Sequence, residues 1–139
     1  SLDYAAKTPD QLALLEGVGE ILDKKVKDAG YSAEPSALDV MIGAANLGRW
    51  HVDRAGDMRM LVNLSERSVY LEYATEWDRR AWAELRSDEA PPPAEFEKIN
   101  YGPGEGVLID NMCDPVDLVP HRGSKQTSKL VLRAFAREV

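Results

Sequence analysis

Near the start of the chain apolar side chains recur at helical spacing: Leu12, Leu15, Val18, Leu22 and Val26 fall on one face of an α-helix. Thr8 and Gln11 bracket its start as a capping box, Pro9 takes the first helical position and Gly30 supplies the stop. Gly17 and Gly19 each cost about 1 kcal/mol relative to alanine in a helix, so they mark a close contact, a bend or fraying. From Ser36 to Trp50 the period is ambiguous. Leu38, Val40 and Ile42 alternate as in a strand, while Leu38, Ile42 and Ala45 also share a helical face; strand is the preferred reading.

Period two is clearer beyond this point. Residues 50–54, 58–64 and 68–74 are short runs rich in β-formers, separated by Ala-Gly-Asp and Ser-Glu-Arg, and predict an antiparallel meander. Met58, Met60, Val62 and Leu64 share one face, as do Val69, Leu71 and Tyr73, which leaves Arg59, Asn63, Tyr70 and Glu72 opposite. Thr75 with Asp78 predicts a second capped helix carrying Trp77, Ala81, Trp82 and Leu85. An acidic, proline-rich connector follows at 87–95, extended because of its three successive prolines. Phe96, Ile99 and Tyr101, the turn 102–106 and Val107 to Ile109 predict a β-hairpin. A last helix is expected from Ser124 or Thr127, with Leu130, Val131, Ala134 and Phe135 inward.

The order helix, strands, helix, strands, helix has no regular βαβ alternation. It predicts an α+β fold: an antiparallel sheet, made of the meander plus a C-terminal hairpin, packed against N- and C-terminal helices. The 139 residues suit one domain with its own core.

Composition narrows the function classes. A net charge of −7 repels phosphate backbones, so no nucleic-acid partner is expected. Arg122, Lys125, Lys129, Arg133 and Arg137 form a basic run, read as the solvated face of the last helix. No apolar run reaches membrane-spanning length and the first residues lack the pattern of a secretory signal, so the expectation is a cytoplasmic protein without a membrane partner. The single Cys113 agrees with a reducing compartment.

Candidate chemistry is sparse. Cys113, His51 and His121 have the residue types of a thiol nucleophile with a base, but their scatter gives no support to it. No paired ligand spacing is visible, so neither a metal nor a cofactor is expected, and no catalytic residue is assigned. The loop 102–106 lacks the Lys-Ser/Thr ending of a phosphate cradle and reads as a turn. Recognition residues are easier to nominate. Asp110, Asp114 and Asp117 belong with Glu105 to a stretch without a basic residue and suit a cationic partner surface. Trp77, Asp78, Arg79 and Arg80 are of the types enriched at interface hot spots or complementary to them.

Residues 31–93 resemble small bacterial immunity proteins that neutralise polymorphic toxins, including NAD-hydrolysing ones. The resemblance is carried by Gly48-Arg49-Trp50-His51-Val52-Asp53-Arg54, Val69-Tyr70-Leu71-Glu72, Arg79-Arg80 and Pro91 to Pro93. It implies a non-enzymatic inhibitor that occludes the active site of a cognate toxin with a loop or sheet edge. Two other readings stay open: a secretion chaperone or adaptor that binds a secreted client, and a small-ligand binder or enzyme with a dispersed site drawn from Tyr70, His51, Asp110 and His121. Oligomeric state is not specified by the sequence.

Overall fold

The computed structural model describes residues 9–31, 33–43, 48–125 and 129–138. Its elements in chain order are α1 (Pro9–Asp28), β1 (Ala33–Ile42), β2 (Asp57–Asn63), β3 (Val69–Glu76), α2 (Arg79–Glu84), β4 (Glu95–Tyr101), β5 (Gly106–Asp110), a 3₁₀ turn (Pro115–Asp117), β6 (His121–Gly123) and β7 (Leu130–Glu138). The fold is α+β, with two antiparallel sheets ordered β1-β7-β2-β5 and β4-β3-β6.

Helix α1 follows its pattern: Val18, Leu22 and Val26 are buried, whereas Thr8 lies outside the described residues. It ends on Gly30 at φ 83°, with Gly30 N–H donating to Lys27 O at 2.9 Å and Tyr31 N–H to Val26 O at 3.1 Å. This is the Schellman arrangement, which uses a left-handed glycine to satisfy the last carbonyls. Tyr31 then packs on the same cluster as Val26, closing the helix end with an apolar contact.

The segment of ambiguous period is a strand through Ile42. Residues 44–47 lie outside the described set. The C-terminal helix is corrected to β7, a central strand paired with both β1 and β2. Its sequence serves two faces. Leu132, Ala134 and Ala136 are buried in a cluster with Val18, Leu22, Val26, Met58 and Met60; Val131 joins Leu61, Val69, Leu71 and Tyr101 between the sheets. Pairing on both sides outweighs the helix preference of its Leu, Ala and Arg residues. The basic run is likewise not one solvated face: Lys129 is buried and Arg133 half-buried.

Neither the meander nor the hairpin forms as such. β2 and β3 belong to different sheets, and β4 pairs with β3 while β5 pairs with β2. β2 explains why. Met58 and Met60 point to α1 while Leu61 points the other way, so the strand needs cover on both faces. Helix α1 supplies one cover and the second sheet the other. Consecutive strands therefore cross between layers, and the turn at 102–105, closed by Glu105 N–H to Gly102 O at 3.0 Å, is such a crossing. Gly106 fits beside β2 because a Cβ there would meet Leu61 O at 2.8 Å. Residues 50–54 make only a bridge, His51 to His121, instead of a strand.

The second helix is shorter than predicted. β3 runs on to Glu76, and Asp78, not Thr75, is the cap, accepting from Ala81 N at 3.0 Å. Residues 87–89 turn and 91–93 follow without regular structure, held to α2 by Trp82 Nε1 donating to Pro91 O at 2.9 Å.

Candidate functional site

The two histidines of the chain lie side by side, their rings tilted by 58°. His51 N–H donates to His121 O at 3.0 Å and His121 N–H to His51 O at 2.9 Å, a hydrogen-bonded antiparallel pair that sets both side chains on one side. Their ring centroids are 4.4 Å apart. Each Nδ1 lies 2.9 Å from the carbonyl two residues earlier, Arg49 O and Val119 O. A carbonyl only accepts, so each Nδ1 carries a proton and each Nε2 is turned toward Asp53. The separations are 3.8 Å from His51 Nε2 to Asp53 Oδ1 and 3.3 Å from His121 Nε2 to Asp53 Oδ2. Asp53 reaches the pair because residues i and i+2 of an extended segment share a side.

This carboxylate is well supported. Arg59 Nη1 is 3.2 Å from Oδ1 and Asn111 Nδ2 is 3.1 Å from Oδ2. Arg59 is itself held by buried Asp57 at 3.1 Å, and Asn111 also donates to Asp57 at 2.9 Å. Burial raises the proton affinity of Asp53, yet the hydrogen bond and charge of His121, with Arg59 and Asn111, hold its carboxyl well below the usual carboxylate range. Burial and the facing His121 push the His51 imidazole below its ordinary value, against the Arg49 carbonyl and Asp53. The cluster thus presents two imidazole nitrogens and one carboxylate, each within 4.8 Å of the others.

A small cavity of about 90 Å³, lined by His51, Asp53, Arg59, His121, Lys129 and Arg133 among others, adjoins the cluster, and two larger openings flank it. The first is a groove of about 680 Å³ whose walls include Arg49, Trp50, His51, Trp82, Arg86 and Arg122. On the adjoining outer face of the β3 sheet the Arg122 guanidinium stacks 4.4 Å over Trp50 and 5.4 Å over Phe96, and pairs with Glu72 at 3.2 Å. The second is a cleft of about 270 Å³ between β4 and β5, lined by Tyr73, Ile99, Val107, Ile109, Val119 and His121 among others, with Asp110 at its rim. β4 and β5 are edge strands, so the two sheets are open to each other along this side. Ile99, Leu108 and Val119 are exposed there at 38%, 42% and 37%.

The residues nominated for recognition divide into groups. Arg79 bonds Asp117 at 2.7 Å and stacks 4.3 Å over Trp77, joining α2 to the 3₁₀ turn. The Trp77 indole N–H is buried without a hydrogen-bond partner among the described residues. Asp78 caps α2 and Arg80 pairs with Glu84 at 3.2 Å on the surface. Asp110 accepts from Tyr31 Oη at 3.0 Å and Met112 N–H at 2.8 Å. Burial, and then the charges of Asp110, Asp117 and Asp114, push the Cys113 thiol up, away from nucleophile chemistry. Glu105 lies at the other end of β5, accepting from Gly102 N–H at 2.7 Å. Of the dispersed set, His51 and His121 converge; Tyr70 sits elsewhere, on the outer face with Lys98 Nζ 4.1 Å from its ring.

Sequence reasoning placed His51 and His121 in one dispersed set but missed their pairing and Asp53, because the pairing partners are separated by about half of the chain. The legible signal was local: His51 and Asp53 at i and i+2 in an extended run. Comparison with curated proteins and with solved structures returns no match. The family model described as Domain of unknown function (DUF3459) matches residues 35–108, more than half of the 139-residue chain, and the chain belongs to that family.

Proposed function

We propose that this chain is a non-enzymatic binding protein that receives a basic, strand-forming segment of a partner protein in the cleft between β4 and β5. The carrying observation is that cleft: an apolar opening between two unpaired strand edges, rimmed by Asp110 and without a Lys or Arg among its lining residues. Strand edges offer main-chain donors and acceptors, and side-chain pockets beside them give selectivity, the logic of strand addition. Asp114 and Asp117 follow Asp110 along the chain before Val119, Asp117 being paired with Arg79, and their charge adds to the field that would steer a cationic segment. The resemblance to immunity proteins supports toxin inhibition as the specific form of this binding.

The test is capture of partners on the immobilised protein and on Ile99→Lys and Leu108→Lys variants, followed by assay of the captured partner's activity. A partner lost in both variants supports the reading, and stoichiometric inhibition of that partner supports the inhibitor form. Capture indifferent to both substitutions overturns it. A second reading, capture of a small anionic ligand, is favoured by the groove, whose volume falls in the usual range for ligand sites and whose walls carry Arg49, Arg86 and Arg122. Ligand-induced stabilisation that disappears in Arg122→Gln, with no partner requiring the cleft, would place it first.

A further inference from the structure

The geometry points to a site for a borderline divalent cation such as Zn²⁺, held by His51 Nε2, His121 Nε2 and one carboxylate oxygen of Asp53. Three features carry it, independently of the partner cleft. The first is convergence: both histidines of the chain and a carboxylate bring three donor atoms within 4.8 Å of one another. In a tetrahedral zinc site with bonds of about 2.0–2.1 Å, neighbouring donors stand roughly 3.3 Å apart. The separation of 3.3 Å from His121 Nε2 to Asp53 Oδ2 matches this, whereas His51 Nε2 stands 3.8 Å from the other oxygen, Oδ1, and has to move toward the ion.

The second feature is orientation. Metal-ligating histidines donate their other ring N–H to a carbonyl or carboxylate, which fixes the tautomer and the ring plane. Here both rings do so, to Arg49 O and Val119 O at 2.9 Å. Rings so fixed turn both Nε2 atoms toward one carboxylate, an arrangement that a cation between them would satisfy. A proton bridges one imidazole and one oxygen; a metal ion uses all three donors together.

The third feature is charge and access. Arg59 stands beside Asp53 but is shared with Asp57 at 3.1 Å, and Lys129 and Arg133 line the cavity on the inner side of the cluster, so the carboxylate of Asp53 is the one anionic donor among the three. The side chains of Asp53 and His121 are 6% exposed, which favours strong coordination, while that of His51 is 24% exposed and lines the 680 Å³ groove. The groove gives the ion a path and leaves a fourth position for water or an anionic ligand.

The test uses the full chain stripped with chelator. With two histidines, ¹⁵N spectra of the side chains report both rings directly. Stoichiometric Zn²⁺ should move both Nε2 resonances and raise Tm, and Co²⁺ should give the visible absorption of a tetrahedral site. Asp53→Asn should weaken Co²⁺ binding by about tenfold or more, while Cys113→Ser leaves it unchanged. Nε2 resonances that respond to pH but not to a tenfold excess of Zn²⁺ overturn the proposal in favour of a proton-only cluster, as does Co²⁺ binding lost in Cys113→Ser. The wild-type spectra decide even where a variant fails to fold.

Discussion

At the scale of single residues, polar side chains shape the space between the layers as much as apolar ones do. Asn63 is fully buried; its Nδ2 donates to Arg67 O at 2.8 Å and Tyr101 O at 3.1 Å, and its Oδ1 accepts from Ser65 N–H at 2.8 Å. It thereby pins the loop that carries the chain from one sheet to the other. At about 1 kcal/mol per bond, and with buried partners left unsatisfied, Asn63→Ala should cost roughly 3 kcal/mol in chemical denaturation; a loss below about 1 kcal/mol would show that the loop holds without it. Tyr101, 5% exposed, has its phenol pushed up to about 12 by burial. An unfolded chain ionises tyrosine near pH 10, so between about pH 10 and 12 the native state keeps a proton that the unfolded state has lost. Stability from this group is complete below pH 10 and declines as pH rises through that window. Absorbance titration of phenolate should show one tyrosine ionising later than the others, and Tyr101→Phe should remove that late step.

At the scale of elements, legibility in the sequence tracked locality. Helix α1 was readable because its stripe, its first-turn proline and its stop lie within about twenty residues, and the packing uses the same face: Leu22 is fully buried while Ile21 is 52% exposed. Leu22→Ala should therefore cost about 2–5 kcal/mol, and Ile21→Ala should stay within roughly 0.5 kcal/mol of wild type; equal costs would mean that α1 docks by another face. Strands β2 to β5 were readable as strands because apolar residues recur at period two within each. Their partners were not, since β2 pairs with β7 across most of the chain and no local pattern encodes that choice. β7 was misread for a related reason: Leu130-Val131-Leu132-Arg133-Ala134-Phe135-Ala136 fits both periods, and only its position between β1 and β2 selects extended backbone. The histidine pair was invisible on the same ground, because a single cross-strand bridge creates it.

At the scale of the whole molecule, the two sheets cover each other's apolar faces but leave the β4 and β5 edges unpaired. Charge is distributed to match that opening. The chain carries −7 overall, the cleft lining holds Asp110 and no Lys or Arg, and three arginines gather on the walls of the separate groove. On the proposed reading a basic partner would be drawn to the first region and an anionic ligand to the second, so the two faces can be separated by experiment. Ile99 and Leu108 are partly exposed at 38% and 42%, so lysine at either position should change folding stability by no more than roughly 0.5 kcal/mol. The same changes place a positive, hydrated group where the partner's apolar side chains must enter, and should speed dissociation. Asp110→Asn and Asp117→Asn act differently. They weaken the field that steers approach, so they should slow association most at low ionic strength, and the difference from wild type should shrink as salt is raised toward physiological levels and beyond. Stopped-flow association rates across a salt series check this. Association rates that are independent of salt and unaffected by both aspartate changes would show that the acidic rim plays no part in recognition, leaving the apolar edges as the basis of binding.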